Sequence, residues 1–421
     1  MTRKHTITLL GAGAAALVVV AAVWLATSRE KPLRIGFSIA QTGALSGNGN
    51  AGLLALQMWK DDVNGRGGLL GRKVELVFQD DQSDPATVPG IYGKLLDTDK
   101  VDLVISPYGT DLIAELMPLA IKRKLTVFGL FGLGNNEEYR YPNYFQTLPS
   151  GPDPRASTAT GFFELASRQR PRPQTVALVG ADTSYGRNAT AAARTLVKKF
   201  GFTTVYDRAY APRTVDFGPV VRAIKKTNAD LVYVASYPPD SVAILRAAHE
   251  EGLEPAMVGG GMVGLQFTSV MTELGPLLNG VINYNVWVPA PALLAMPGIQ
   301  AFMKEYAARA TATGVDSLGY YLPPYAYALG QIIEKAVETT GSVDQQKIAD
   351  LVRATSFDTI VGPVKFGKNG EWATGRTLTV QYQNVQGNGI DQFRGPEKYV
   401  VLWPEDLASG DIIYPYAKVQ K

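Results

Sequence analysis

The sequence predicts an α/β protein built from two similar halves, each a mostly parallel, doubly wound sheet. Three observations carry that expectation. The chain after residue 30 opens as strand, loop, helix, glycine-rich turn and strand. The same strand–helix alternation restarts near residue 175, and the last segment, from Gly362 onward, changes to hairpin patterning.

The first unit runs from Leu33 to Pro85, LRIGFSIAQTGALSGNGNAGLLALQMWKDDVNGRGGLLGRKVELVFQDDQSDP. LRIGFSIA and KVELVFQD are apolar runs of strand length, and Leu53, Leu54, Leu56, Met58, Trp59 and Val63 mark a helix between them. Gly65, Gly67, Gly68 and Gly71 break that helix. Leu103–Ser106 and Thr126–Gly129 read as further strands, with a helix from Asp111 to Lys122 between them. Residues Leu130 to Pro154 are rich in Gly, Asn, Tyr and Pro and read as loop plus a crossing segment. In the second half, strands are expected at Thr175–Val179, Thr203–Tyr210 and Leu231–Ala235. Helices are expected at Arg187–Phe200, Phe217–Lys226 and Asp240–Glu251, and again at Pro297–Thr313 and Pro323–Val337. Lys368-Asn369-Gly370 and Gly387-Asn388-Gly389 read as hairpin turns. A strand–helix–strand unit predicts a ligand crevice at the strand ends.

At 421 residues the chain has material for two or three domains. Cysteine is absent, which excludes disulfides, thiolate catalysis and a lipid anchor at cysteine, and suits an oxidising compartment. The two histidines, His5 and His249, leave no basis for a multi-histidine metal site or histidine acid–base chemistry. Arg3 and Lys4 precede an apolar run from Ile7 to Ala26. This is the pattern of a secretory signal, with Ala26-Thr27-Ser28 offering small cleavage residues, yet the run is also long enough for one membrane helix. Residues 1–30 are therefore a cleaved signal or an uncleaved anchor, and the rest is delivered outside the cytoplasm. Without Arg3 and Lys4, 39 of the 41 basic residues remain against 38 acidic ones, so nothing points to nucleic acid.

Gly47, Gly49 and Gly52 fit a dinucleotide fingerprint in outline. Its spacing fails twice. Gln41 to Ser46 separate the strand from the glycines, and Asp80 and Asp81 lie well beyond the roughly 20 residues that the motif requires. The glycines read instead as a flexible loop that approaches an anionic ligand, and no cofactor is expected. Asp84 before Pro85 reads as a helix cap rather than part of a cation site.

The quoted opening, with its TGALSG loop and N..GG..GR..ELV..DDQSDP run, resembles type I periplasmic solute-binding proteins, the leucine/isoleucine/valine-binding family of ABC importers. The resemblance implies two lobes joined by a hinge of three crossings, with 32–148 and 285–356 forming lobe 1. It places 149–284 and 357–400 in lobe 2 and leaves 401–421 as a C-terminal tail. It also implies a monomer that binds a small molecule and delivers it to a membrane permease.

Ligand-site candidates follow from strand ends and helix starts. Tyr108, Gly109, Thr110 and Asp111 lie where N–H groups and hydroxyls converge, a setting suited to a carboxylate, although plain capping by Thr110 or Asp111 explains the same residues. The resembling family carries serine or threonine contacts to the ligand there. Gln41 follows the first strand, and Phe131 with Gly132 to Asn136 reads as a hinge-facing wall. Asp182 to Arg187 matches the family's D..YG loop, with Tyr185 against the ligand, or with Asp182 capping and Tyr185 packing over the first turn. Tyr237 ends the next strand and is ranked beside Tyr185. Tyr320 is the candidate from the GYYLPPYAYA cluster, and Trp287 lines the cleft or marks a crossing. In the Gly259–Gly264 loop the family usually offers an acid to a ligand ammonium, and here Gly261 and Met262 stand instead. Met262 and the glycines are expected to leave room for a flat apolar group, with Asp111 or Asp182 able in principle to supply the missing charge.

The expectation is an extracytoplasmic, periplasmic solute-binding protein, not an enzyme, that closes on an amino acid, amide, keto acid or aromatic acid. A ligand-sensing ectodomain or co-receptor is the alternative of the same fold. An exported hydrolase is the remote one, lacking a Gly-x-Ser-x-Gly elbow.

Overall fold

The computed structural model describes residues 31–418, so the apolar run at 7–26 lies outside the described residues. The first sheet is wholly parallel, with strands β1 (Leu33–Ile39), β2 (Val74–Asp80), β3 (Leu103–Tyr108), β4 (Val127–Leu130) and β5 (Tyr144–Gln146) in the order β2-β1-β3-β4-β5. β1 and β3 are buried almost throughout rather than on alternate residues, because helices cover both faces of a parallel sheet.

The second sheet joins β6 (Thr175–Ala181), β7 (Thr203–Tyr210), β8 (Leu231–Ser236), β9 (Met257–Met262) and β10 (Ile282–Asn285) in parallel. After a separate hairpin of β11 (Ser356–Thr359) and β12 (Gly362–Lys365), β13 (Leu378–Tyr382) and β14 (Tyr399–Trp403) extend it antiparallel to the order β14-β13-β10-β9-β8-β6-β7. In both sheets the strand order reverses once, between β1 and β3 and between β6 and β8. Loops leaving those strand ends open onto one crevice.

The chain returns to the first half after β10. The helix Leu322–Thr340 packs on the helix Ser46–Gly65, where a Cβ at Gly330 would lie 2.2 Å from the Trp59 ring. Gly330 is what lets that buried indole lie flush between the helices.

Several elements differ from expectation. Gly47, Gly49 and Gly52 are not a flexible loop; they lie in the first turns of the Ser46–Gly65 helix. A Cβ at Gly49 would stand 1.9 Å from the Ala40 carbonyl, so close strand–helix packing is the reason for that glycine. The Gly259–Gly264 segment is strand β9 as far as Met262. Its glycines accommodate protein, not ligand: a Cβ at Gly260 would fall 2.4 Å from the Tyr233 ring. The Gly387 turn does not return as a strand, because Ile390–Arg394 forms a 3-10 turn and β13 pairs with Tyr399–Trp403. Beyond β14, the segment read as a tail is tied to the sheet. Gln381 exchanges two hydrogen bonds with the Ile413 backbone (2.9 and 2.8 Å), and the Tyr416 N–H donates to the Ala256 carbonyl. Helices at Pro154–Arg168 and Gln345–Ala354 have no counterpart in the sequence reading.

Candidate functional site

The crevice between the sheets narrows to an inner cavity whose wall is mostly aromatic. Tyr108, Gly109, Thr110 and Phe131 to Leu133 come from the first sheet's strand ends, and Tyr185, Tyr237, Val263 and Tyr284 from the second. Leu45, Leu148, Thr158 and Tyr321 complete it. Among the described residues no charged side chain lines this cavity. About 20 Å³ within it is open to water, roughly the space of one molecule.

Local structure explains the aim of these groups. Pro107 disturbs the β3–β4 register between Ile105 and Tyr108, which turns the strand end toward the crevice. Gly109, at φ +111°, then starts the helix Thr110–Arg123, whose first-turn N–H groups face the same space. The Thr110 hydroxyl accepts from the Leu133 N–H (2.9 Å), which leaves its own proton to donate. Capping is therefore not the role of Thr110. Phe131 and Tyr321 both hold positive φ, +46° and +70°, and meet edge to face at 4.9 Å. Bulky residues in that region carry strain, and its concentration here marks a specified site.

On the opposite wall, Tyr185 and Tyr237 lie 5.4 Å apart, and the Tyr185 hydroxyl donates to the Gly261 carbonyl (2.7 Å). Tyr284 and Tyr321 bring their hydroxyls within 3.4 Å, and Asn48 donates to the Tyr108 hydroxyl (3.2 Å). Burial raises the pKa of every one of these phenols, Tyr284 to about 12, so they stay protonated donors.

The mouth of the cavity is latched by Asp111. Its Oδ1 accepts from the Ser184 N–H (2.6 Å), and its Oδ2 from the Tyr237 hydroxyl (2.5 Å). Asn188 Nδ2 adds a bond to the Leu133 carbonyl (2.7 Å), while the Arg155–Glu137 pair (2.7 Å) lies away from the mouth, beside Lys368 and Asn369. Outside the latch lies a wider chamber of about 640 Å³, lined by Asp111, Asp182, Arg187 and Arg213 among others. Asp182 pairs with Arg187 in solvent, and the cap of the helix Ser184–Lys199 is Thr183, whose hydroxyl accepts from the Gly186 N–H. Neither Asp111 nor Asp182 enters the inner cavity as a free carboxylate.

Of the sequence candidates, Tyr108, Gly109, Thr110, Phe131, Tyr185 and Tyr237 are brought together on the cavity wall. Three lie elsewhere. Gln41 lines neither the inner cavity nor the outer chamber; its backbone N–H donates to the Asp80 carboxylate (2.9 Å). Met262 is the last residue of β9 and fully buried, with its backbone bonded to Asn283, so the next residue, Val263, faces the cavity. Tyr320 packs on Trp287 at 5.1 Å and donates to the Arg394 carbonyl, while its neighbour Tyr321 takes the wall. Both shifts are of one residue, set by where a strand ends and by the positive φ of Tyr321. Trp287 lies behind Tyr320 and does not line the cavity. Asp84 caps the turn at Pro85 by accepting from the Ala86 N–H (3.0 Å), and the described residues contain no cluster of three or more His, Cys, Asp or Glu side chains placed to share a metal ion.

The periplasmic binding protein family model matches residues 32–387. The Leu/Ile/Val-binding protein homolog 8 of Brucella abortus (strain 2308) is 24% identical over 378 residues, 85% of this chain and 93% of its own. The branched-chain amino acid transporter substrate binding protein of Streptococcus pneumoniae, solved with isoleucine, superposes with a TM-score of 0.73 at 17% identity, over 85% of this chain and 98% of that one. A solute binding protein of an R. palustris ABC transporter, solved with 4-hydroxybenzoate, gives 0.71 at 19% identity, over 85% and 95%. These likenesses show a shared two-lobed α/β fold, and the match along most of the sequence shows more: the chain belongs to the periplasmic binding protein family.

Proposed function

We propose that the protein is the extracytoplasmic solute-binding component of an ABC importer, closing its lobes on an aryl acid or similar carboxylate without an α-ammonium and passing it to a membrane permease. One observation carries the choice of ligand. The cavity wall holds six aromatic rings and no carboxylate, because both oxygens of Asp111 are engaged at the mouth. An ammonium buried here would have no charge partner, at a cost of a few kcal/mol. A carboxylate, by contrast, meets the first-turn N–H groups of the helix Thr110–Arg123 and the Thr110 hydroxyl proton. The rings suit a flat apolar body. Binding without turnover fits a wall that offers neither nucleophile–base pair nor metal ligands.

Calorimetry with phenylalanine against 3-phenylpropanoate tests this reading. The deaminated acid is expected to bind at least as tightly. Tenfold or greater preference for the amino acid would show that an acid reaches the ligand and would return the site to amino-acid binding.

A further inference from the structure

The helix Pro154–Arg168 brings to the cavity a hydroxyl that the sequence singles out nowhere. Thr158 is 2% exposed and lines the inner cavity, yet its Oγ1 has no hydrogen-bond partner. Beside it on β8 stands Tyr233, fully buried, whose hydroxyl likewise bonds no other group and approaches that of Thr158. Tyr233 has no freedom to turn toward another acceptor. Its ring is held by Phe162 and Phe163 at 5.8 and 5.6 Å and presses on Gly260.

A buried hydroxyl without a partner is unfavourable and rare in native structures. Every other wall hydroxyl takes part in at least one hydrogen bond: Tyr185 with Gly261, Tyr237 with Asp111, Thr110 with the Leu133 N–H, Tyr108 with Asn48, and Tyr284 with Tyr321. Among the described residues, Thr158 is thus the one hydroxyl lining the cavity that makes no hydrogen bond with the protein. With no cation beside it among the cavity-lining residues, it suits a neutral oxygen rather than a second carboxylate. It also sits on the second half, whereas the carboxylate donors at Thr110 belong to the first, so one ligand touching both would draw the lobes together.

We propose that Thr158, backed by Tyr233, is a specificity-determining residue that receives a neutral hydroxyl on the ligand, which makes the ligand class a hydroxylated aryl acid. This rests on the aryl-acid reading above, and the test separates the two. Wild type, Thr158→Val and Thr158→Ser would be titrated calorimetrically with benzoate and with 2-, 3- and 4-hydroxybenzoate. At least one hydroxybenzoate is expected to bind wild type tenfold more tightly than benzoate. That preference should collapse in Thr158→Val and return in Thr158→Ser, with benzoate affinity changing by much less than that of the preferred hydroxybenzoate. Without ligand, Thr158→Val should melt at or above the wild-type temperature, since it removes a group that the protein does not satisfy. A lower melting temperature, an unchanged preference, or equal weakening of benzoate and hydroxybenzoates would each overturn the assignment. Benzoate binding without any preference for a hydroxyl would sink this inference alone. Failure of all four acids to bind wild type would sink the aryl-acid reading and this inference with it.

Discussion

At the mouth of the crevice the two halves are tied by side chains; at the hinge they are tied by backbone. The mouth depends on Asp111, with Asn188 beside it, and each of these bonds releases by rotating a side chain. On the hinge side, the Arg376 N–H donates to the Pro149 carbonyl (2.8 Å) and the Gln146 N–H to the Gly370 carbonyl (2.9 Å). Between those segments Ser150 donates to Glu371 (2.8 Å), a carboxyl with no exposure at all. A joint of this kind bends but does not part, whereas the mouth is free to open. The contrast predicts a two-state binder whose lobes swing about 147–153 and 367–377, with the Asp111 bonds favouring the closed state.

The largest effect expected from that contrast is a pH dependence of stability originating in the hinge. Burial pushes the Glu371 carboxyl up to about 8, against an ordinary 4.5, with Ser150 and Asn136 opposing and Glu137 adding to the rise. The folded protein therefore keeps a proton that the unfolded chain releases near 4.5. This contribution is complete below about pH 4.5, declines as pH rises, and is gone above about 8, a span on the order of 5 kcal/mol. Asp81, pushed up to about 6 by burial, adds a smaller slope of the same sign. Urea unfolding of wild type and Glu371→Gln at pH 5, 6.5 and 8.5 isolates the hinge. The variant should lack the Glu371 slope and exceed wild type at pH 8.5; parallel curves would mean that Glu371 is not buried protonated.

A second hinge test concerns backbone fit. Gly370 sits at φ +75°, and a Cβ there would stand 2.0 Å from the Tyr144 carbonyl. Gly370→Ala should cost about 3 kcal/mol in urea unfolding, since strain and clash add. A loss below about 1 kcal/mol would show that the hinge yields easily, which would blur the contrast with the mouth.

How far the chain announces these features differs by region. Most parallel strands of the two sheets were legible because they are short, largely apolar runs separated by helical spacing, as in LRIGFSIA and the segment around Leu231. β5, β9, β10 and β14 were not, being short or glycine-rich. Six wall residues were legible because strand-end and helix-start positions converge by topology. Tyr321 and Val263 were not, because one residue of register decides which neighbour faces the cavity, and composition is blind to it. Thr158 lay in a stretch with no helical expectation, although Asp153 caps that helix and Pro154 opens it, a start signal available in the sequence. Glu371 carries no sequence mark of burial beyond its place between Gly370 and Trp372.

At the mouth the effects should be smaller and should appear in lobe geometry before stability. Tyr237→Phe keeps the ring on the cavity wall but removes the hydroxyl that Asp111 accepts. A hydrogen bond to a charged group is worth about 1.5–3 kcal/mol, so the open state should gain about that much over the closed one. Small-angle scattering of the ligand-free protein should then show a larger radius of gyration, with the melting temperature close to wild type. An unchanged radius together with a lower melting temperature would make Tyr237 part of a core rather than part of a latch.

The smallest effect is expected only a few residues away. Arg187 and Asp182 form a 2.9 Å ion pair in the outer chamber, with side chains 61% and 58% exposed. Solvent screens such a pair and ordering two flexible side chains offsets most of its attraction, which leaves at most about 0.5 kcal/mol. Arg187→Ala should therefore leave the melting temperature, the radius of gyration and aryl-acid affinity within error of wild type. A clear gain in radius would assign this surface pair a share of the latch. A clear loss of affinity at low salt, abolished at high salt, would mean instead that the outer chamber draws the anionic ligand toward the mouth.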